Sequence, residues 1–258
     1  NSLAGIDGWS SRFAITGISL CGALPLSLYA VICSKNWRKG IQDSELHALL
    51  TAVVVVTLLL LLSFYFHSGM TLSHALGNAL SLAVSAQSTA GFTTLDLSQI
   101  DNSAKLSMIV SMLIGGGVGS TAGGIKLLRL LILLRLIQVV LQRTTMPSQA
   151  VIYPKLGGKV LGDTEIQRAV ILILLYFVVV VCSWFIFLVY GYEPMNALFE
   201  VVSATATVGL SVGVTTADMP LLLKLILCLD MLFGRLEIIA LLAVLYLPNW
   251  IGKRKELA

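Results

Sequence analysis

Charge is what this 258-residue chain has least of: Asp, Glu, Lys and Arg together make up 12% of it. A soluble globular domain carries about 25%. The shortage excludes charge-driven nucleic-acid binding and disorder, and it excludes a water-solvated surface around a core drawn from 57% hydrophobic residues. Cysteine is scarce and unpaired. Cys21, Cys33, Cys182 and Cys228 stand singly inside apolar runs, so neither a disulfide framework nor a zinc site is implied. His47, His67 and His74 show no ligand spacing and sit near the ends of apolar runs. There is no HExxH, no pair of aspartates inside apolar runs, and no histidine in a run centre to activate Ser120, which disfavours an intramembrane hydrolase. No signal-peptide pattern is present.

What the chain does have is apolar length. A bilayer core needs about 20 apolar residues as a helix. Five stretches reach that: Phe13–Cys33, Ala48–Phe66, Leu106–Ile125 with a charge-studded tail to about Leu141, Ala169–Tyr190, and Leu221–Leu247. Two more, Ala75–Gln87 and Met195–Ala206, are apolar but cover only about half a membrane at 1.5 Å per residue. Neither is rich in Lys or Arg, which argues against a helix lying on the membrane surface. The expected fold is an all-α polytopic membrane protein.

The order span, half-helix, small polar loop, span occurs twice. The loops are Ser88-Thr89-Ala90-Gly91-Phe92-Thr93-Thr94 and Thr205-Ala206-Thr207-Val208-Gly209-Leu210-Ser211, with Gly91 and Gly209 118 positions apart. The resulting organisation is a closing helix of a preceding module (1–34), a module with a broken span (35–145), a connector (146–168), and a second module with a basic tail (169–258). Phe13–Cys33 has no partner before it and the chain opens on Asn1, so the expectation is a fragment; the alternative is two chains completing one ring. Most of the 17 Lys and Arg fall in segments 34–47, 126–168 and the tail, which places those segments in the cytoplasm and brings both half-helices in from the outer side. Trp9, Trp37, Trp184 and Trp250 suit membrane anchoring.

Non-helical backbone at membrane depth needs a polar cavity or a protein cover. Glycine permits backbone angles that turn carbonyl oxygens toward an axis, and a ring of carbonyls can replace the hydration shell of a monovalent cation. The partially negative carboxyl end of each half-helix favours a cation. Carbonyls without carboxylates suit K⁺ better than Ca²⁺ or Mg²⁺. The nominated ion-binding residues are Thr89, Ala90, Gly91, Phe92, Thr93, Thr207, Val208, Gly209, Leu210 and Ser211.

Thr207-Val208-Gly209-Leu210-Ser211 resembles the Thr-Val-Gly-Tyr-Gly filter of potassium channels, departing at its last two positions. With it, Ser88–Thr94, the run Gly115-Gly116-Gly117-Val118-Gly119-Ser120-Thr121-Ala122-Gly123-Gly124-Ile125-Lys126, the half-helix from Phe199, and Gly234-Arg235-Leu236-Glu237 resemble, in order, the second half of a Trk/Ktr/HKT-superfamily potassium transporter membrane subunit, most closely the bacterial Trk type. The resemblance implies repeated span–pore helix–span modules, four around one pore, of which this chain supplies the third and fourth. It implies K⁺ uptake across the cytoplasmic membrane as channel or symporter, with Na⁺ the alternative ion, and no enzymatic activity. The implied cofactor set is empty, K⁺ being the transported ion. The implied partners are lipid, a second copy of the subunit, cytosolic nucleotide-binding regulatory subunits, and the remaining pore modules.

Six glycines between 115 and 124 should break the third span, at about 1 kcal/mol per helical glycine. Close helix packing accounts for two glycines but not six, and a phosphate-binding loop would need Lys before Ser120 or Thr121. The resemblance implies a gate below the filter formed by Gly115, Gly116, Gly117, Gly119, Ser120, Thr121, Gly123 and Gly124, with Arg235 beside it. An Arg within a span faces a bundle interior or water; pairing of Arg235 with Asp230 or Glu237 is the simpler alternative. Glu200 lies seven residues before Thr207, a spacing that favours a hydrogen-bonding role over an ion ligand.

Overall fold

The computed structural model describes residues 9–34, 40, 42–67, 69–146 and 154–235. Glu237, Trp37, Trp250 and the basic tail lie outside them. The fold is helical: α1 Trp9–Ala23, α2 Leu26–Cys33, α3 Ser44–His67, α4 Leu72–Gln87, α5 Asn102–Leu113, α6 Leu127–Thr144, α7 Asp163–Val189, α8 Pro194–Thr205 and α9 Leu221–Arg235. A 3₁₀ turn at Leu97–Gln99 and a short antiparallel hairpin, β1 Lys155–Leu156 with β2 Lys159–Val160, complete it.

Two of the five expected spans, Ser44–His67 and Asp163–Val189, are single helices long and apolar enough to cross a bilayer. Each is one-sided. α3 turns Leu49, Val53, Val56, Leu60 and Phe64 inward at three- and four-residue steps, while Val54, Val55, Leu58 and Leu62 stay exposed. α7 does the same with Ile173, Tyr176, Val180, Ser183 and Phe187, leaving Leu174, Phe177, Val181 and Phe185 outside. An apolar face left uncovered on such a helix suits lipid or further protein, since water would penalise it by roughly 25 cal/mol per Å².

The other three expected spans differ from simple helices. Phe13–Cys33 is two helices meeting at 97°. Pro25 forces the break, because it has no N–H to donate and its ring excludes a continuing helix. The third span stops at Leu113 and resumes at Leu127. The fifth is described as helix from Leu221 to Arg235.

The half-helices are α4 and α8. α4 is held by α3 and α5, and α8 by α7 and α9, while α5 packs on α8 to join the two units. One cluster runs through both, including Leu82, Met108 and Met112 from the first and Phe187, Phe199 and Leu223 from the second. At one end of this joint Lys105 Nζ donates to Asn196 Oδ1 at 2.9 Å, and Trp184 Nε1 donates to the Pro194 carbonyl at 2.9 Å, pinning the start of α8.

Candidate functional site

α4 and α8 end in the same way. Past Ser88 and Ala206 the chain enters the left-handed region at Thr89 and Thr207, both with φ 54°, the only non-glycine residues with positive φ among those described. The Thr89 N–H donates to Ala86 and the Ala90 N–H to Ser85; Thr207 donates to Ala204 and Val208 to Ser203. This is the Schellman closure of a helix, with Thr where glycine is usual. A β-branched residue there is strained by about 1–3 kcal/mol, so the surroundings hold it in place.

What holds them is the glycine segment. The Gly123 N–H donates to Thr89 Oγ1 at 3.1 Å. A Cβ on Gly123 would stand 2.1 Å from the Ala206 carbonyl oxygen and 2.6 Å from Thr207 Oγ1. Both threonine side chains therefore converge on one glycine, and only glycine fits. The Thr207 hydroxyl is buried with no partner among the described residues.

Beyond the threonines the two loops touch. A Cβ on Gly91 would lie 2.1 Å from the Val208 carbonyl oxygen, and Gly91 and Gly209 have φ of 74° and 81°. Gly209 faces open space, with nothing within 4 Å of a Cβ there. Not all ten nominated residues present free oxygens to this space. The Phe92 carbonyl accepts from Ser85 Oγ at 2.7 Å and the Leu210 carbonyl from Ser203 Oγ at 2.6 Å, so both turn back to their own helices. The Ser211 hydroxyl donates to Glu200 at 2.5 Å. Thr93 is buried. The carbonyls of Thr89, Ala90, Gly91, Thr207, Val208 and Gly209 receive no donor among the described residues. Of these six residues Val208 is buried, Gly209 exposed and the others half-buried; a cluster of carbonyls left without protein donors suits a cation.

The glycine segment folds beneath these ends as a closed loop. Ile114 and Ile125 form a parallel bridge; Gly115 donates to Ile125 at 2.9 Å and Leu127 to Gly116 at 3.1 Å. Gly117 donates to Ala23 at 3.0 Å, Thr121 to Gly22 at 3.2 Å, and Leu26 to Val118 at 3.1 Å. The break at Pro25 thus supplies backbone groups that the glycine segment satisfies. Gly116 and Gly117 are packed so closely on Ala23 and Pro25 that a Cβ would stand 2.7 Å from either. Gly119 and Gly124 have φ of 76° and 71°.

Side chains clamp the loop from several directions. Gln87 Nε2 donates to the carbonyls of Ile114 and Gly115, and Gln87 Oε1 accepts from Ser111 at 3.0 Å. Glu45 Oε2 accepts from the Val118 N–H at 2.8 Å. Lys126 Nζ donates to the Ala122 carbonyl at 2.6 Å. Arg235 Nη1 donates to the Thr121 carbonyl at 2.7 Å. Arg235 therefore binds the loop's backbone, and Asp230 instead accepts from Ser183 at 2.7 Å. Gly234 places α9 against α8: a Cβ there would overlap the Thr205 carbonyl. A cavity of about 210 Å³ between the loop, α6, α7 and α9 is lined by Ser120, Gly123, Lys126, Arg129, Tyr176 and Arg235.

Four groups here escaped the sequence reading: Gln87, Glu45, Lys126 and the backbone at Gly22–Ala23. Gln87 carried a signal, being an amide that closes the mostly apolar run Leu80–Ala86 at the end of a half-helix. Glu45 and Gly22–Ala23 act through contacts distant in sequence, while Lys126 reaches back only four residues to Ala122.

The model of the TrkH family, described as cation transport protein, matches residues 37–249. The Trk system potassium uptake protein TrkH of Salmonella typhimurium is 33% identical over 217 residues, 83% of this chain and 44% of that protein. An uncharacterised cation transporter of Methanocaldococcus jannaschii is 34% identical over 167 residues, 65% of this chain and 35% of that protein. The crystal structure of the potassium transporter TrkH from Vibrio parahaemolyticus superposes with a TM-score of 0.84 at 28% identity, over 96% of this chain and 55% of that one. The chain thus spans about half the length of these relatives, or less.

Proposed function

The chain belongs to the TrkH family of cation transport proteins, and from that premise we propose that it forms half of a potassium-selective pore. The observation that carries this reading is the contact between the two loops, where Gly91 meets the Val208 carbonyl and six backbone oxygens around it lack donors. Those oxygens stand in for the hydration shell of K⁺, and the carboxyl ends of α4 and α8 add a favourable potential. Thr89 and Thr207 line the inner end. Two further modules, from upstream sequence or from a second chain, complete the ring around the open side at Gly209.

The glycine loop is the gate. It lies directly against the threonine ends of both loops, so an ion leaving the filter meets Gly123 first. Arg235 latches it through Thr121 and sets a positive charge beside the exit, which discourages prolonged occupancy. The basic segments face the cytoplasm across the cytoplasmic membrane. The working assembly is a dimer of membrane subunits with cytosolic nucleotide-binding regulatory partners, K⁺ being cargo rather than cofactor.

Reconstitution of the purified protein, together with the upstream modules or the second chain that completes the ring, into liposomes with an outward K⁺ gradient tests the reading through ⁸⁶Rb⁺ uptake. Accumulation blocked by excess K⁺ but not by excess Na⁺ is the expected result. Equal block by Na⁺ would replace potassium with a less selective cation, and no uptake by protein that is monodisperse and correctly inserted would reject the pore.

A further inference from the structure

Glu200 is 4% exposed, sits in the middle of α8 and is the one charged residue of that helix. Seven residues of helix, about 10 Å, separate it from Thr207, so its carboxylate stands at the far end of the second loop. There it gathers four donors. Oε1 accepts from Ser211 Oγ at 2.5 Å, from the Val212 N–H at 3.0 Å and from the Val214 N–H at 3.2 Å. Oε2 accepts from Thr215 Oγ1 at 2.7 Å. The Ser211 oxygen in turn accepts the Gly213 N–H at 3.0 Å, which commits its own proton to Glu200. One side chain thus fixes the five residues that follow Leu210.

Among the described residues α4 offers the first loop no carboxylate in this role. Its register-equivalent position, 118 residues earlier, is Leu82, fully buried among apolar neighbours. The segment beyond Phe92 is fastened locally instead: Asp96 accepts from the Ser98 N–H at 3.1 Å and the Ser98 hydroxyl at 2.8 Å.

We propose that Glu200 is a positioning residue for ion discrimination: by holding Ser211, Val212, Val214 and Thr215 from behind, it sets the spacing of the Thr207–Gly209 carbonyls and so the preference for K⁺ over Na⁺. The inference rests on the pore reading given above. Carbonyls that hold an ion cannot also be held by donors, so their radius is fixed only by what grips the chain on either side. On the inner side that grip is the helix closure at Thr207; on the outer side it is Ser203 at the Leu210 carbonyl and, for the five residues beyond it, Glu200. A loop released at its outer end relaxes around the smaller ion.

The test compares Glu200→Ala, Glu200→Gln, Ser211→Ala and Thr215→Val with the unaltered protein, in liposomes, as the ratio of ⁸⁶Rb⁺ to ²²Na⁺ uptake. Glu200→Ala lowers the ratio about tenfold, a change of about 1.4 kcal/mol in discrimination. Glu200→Gln keeps an acceptor for both N–H groups and retains most of the ratio. Ser211→Ala and Thr215→Val each lower it about twofold, or roughly 0.4 kcal/mol, and they carry the test should Glu200→Ala fail to fold. An unchanged ratio with uptake of both ions reduced in parallel overturns the inference and leaves the pore reading intact. Gln as damaging as Ala overturns it also, because charge rather than position would then be responsible. Uptake of neither ion by the unaltered protein rejects the pore and the inference together.

Discussion

After α4, Ser85 bonds the Phe92 carbonyl, Thr89 turns left-handed and Gly91 follows; after α8, Ser203 bonds the Leu210 carbonyl, Thr207 turns left-handed and Gly209 follows. The helix closures and the serine bonds of the two inner halves match one for one, and the halves differ in that only Thr89 also accepts from the Gly123 N–H. Their outer halves differ more: Asp96 fastens the first from within its own turn, while Glu200 fastens the second from α8. The inner half is the place where both loops meet the same object, the glycine loop, and one partner imposes one geometry. The outer halves meet different neighbours and have diverged.

The comparison breaks most completely at the shared partner. Gly123→Ala pushes a methyl group into the Ala206 carbonyl and against Thr207. The expected cost is about 4 kcal/mol or more, seen as a large drop in thermal stability in detergent and loss of uptake; a variant melting with the parent would mean the glycine loop does not seat there. Next come the two loop glycines. Gly91→Ala and Gly209→Ala share a left-handed strain of about 1–2 kcal/mol, but only Gly91 also abuts backbone, so it should be clearly the more damaging. Equal losses in a melting comparison would deny the contact between the loops.

Arg235→Gln removes the charged latch on Thr121. Rubidium uptake should rise about threefold, matching roughly 0.7 kcal/mol of lost closed-state stability; unaltered kinetics would remove Arg235 from the proposed gate. The serine pair sharpens the likeness of the inner halves. Ser85→Ala and Ser203→Ala should each cost about 1 kcal/mol and agree closely, so a marked difference in melting would show that the equivalence is only geometric.

The smallest effect is at Asp96. Hydrogen bonds from the Ser98 hydroxyl and N–H hold its carboxyl below the ordinary value of 3.8. A lowered folded value stabilises above the unfolded value and is lost as pH falls through the folded one. The turn at Leu97–Gln99 should therefore loosen only below about pH 4, a change that hydrogen exchange at the Ser98 amide would register. Loosening at neutral pH would assign that turn to another cause.

Much of this was legible in the sequence because the signals are local. The half-helices at Leu72–Gln87 and Pro194–Thr205 follow from apolar runs too short to cross, and the gap between Leu113 and Leu127 follows from six glycines. The bend at Pro25 was missed because Phe13–Cys33 is apolar throughout, and hydropathy does not register a missing N–H. Phe92, Leu210 and Ser211 were nominated as ion-facing with the rest of their loops. Hydropathy and motif give no sign that Ser85 and Ser203 turn the first two carbonyls away, or that Glu200 takes the Ser211 hydroxyl.

The order of apolar and polar segments along the chain determined by itself that this is a membrane protein of repeated span and half-helix units, because lipid admits only backbone that satisfies its own hydrogen bonds. It also determined where glycine interrupts. The tertiary structure alone decided that Gly91 meets Val208, that Thr89 and Thr207 share Gly123, and that Glu45, Gln87 and Arg235 reach one loop. Those partners come from helices far apart in sequence. Close approach between them depends on how side chains interdigitate, which no periodicity along a single chain encodes.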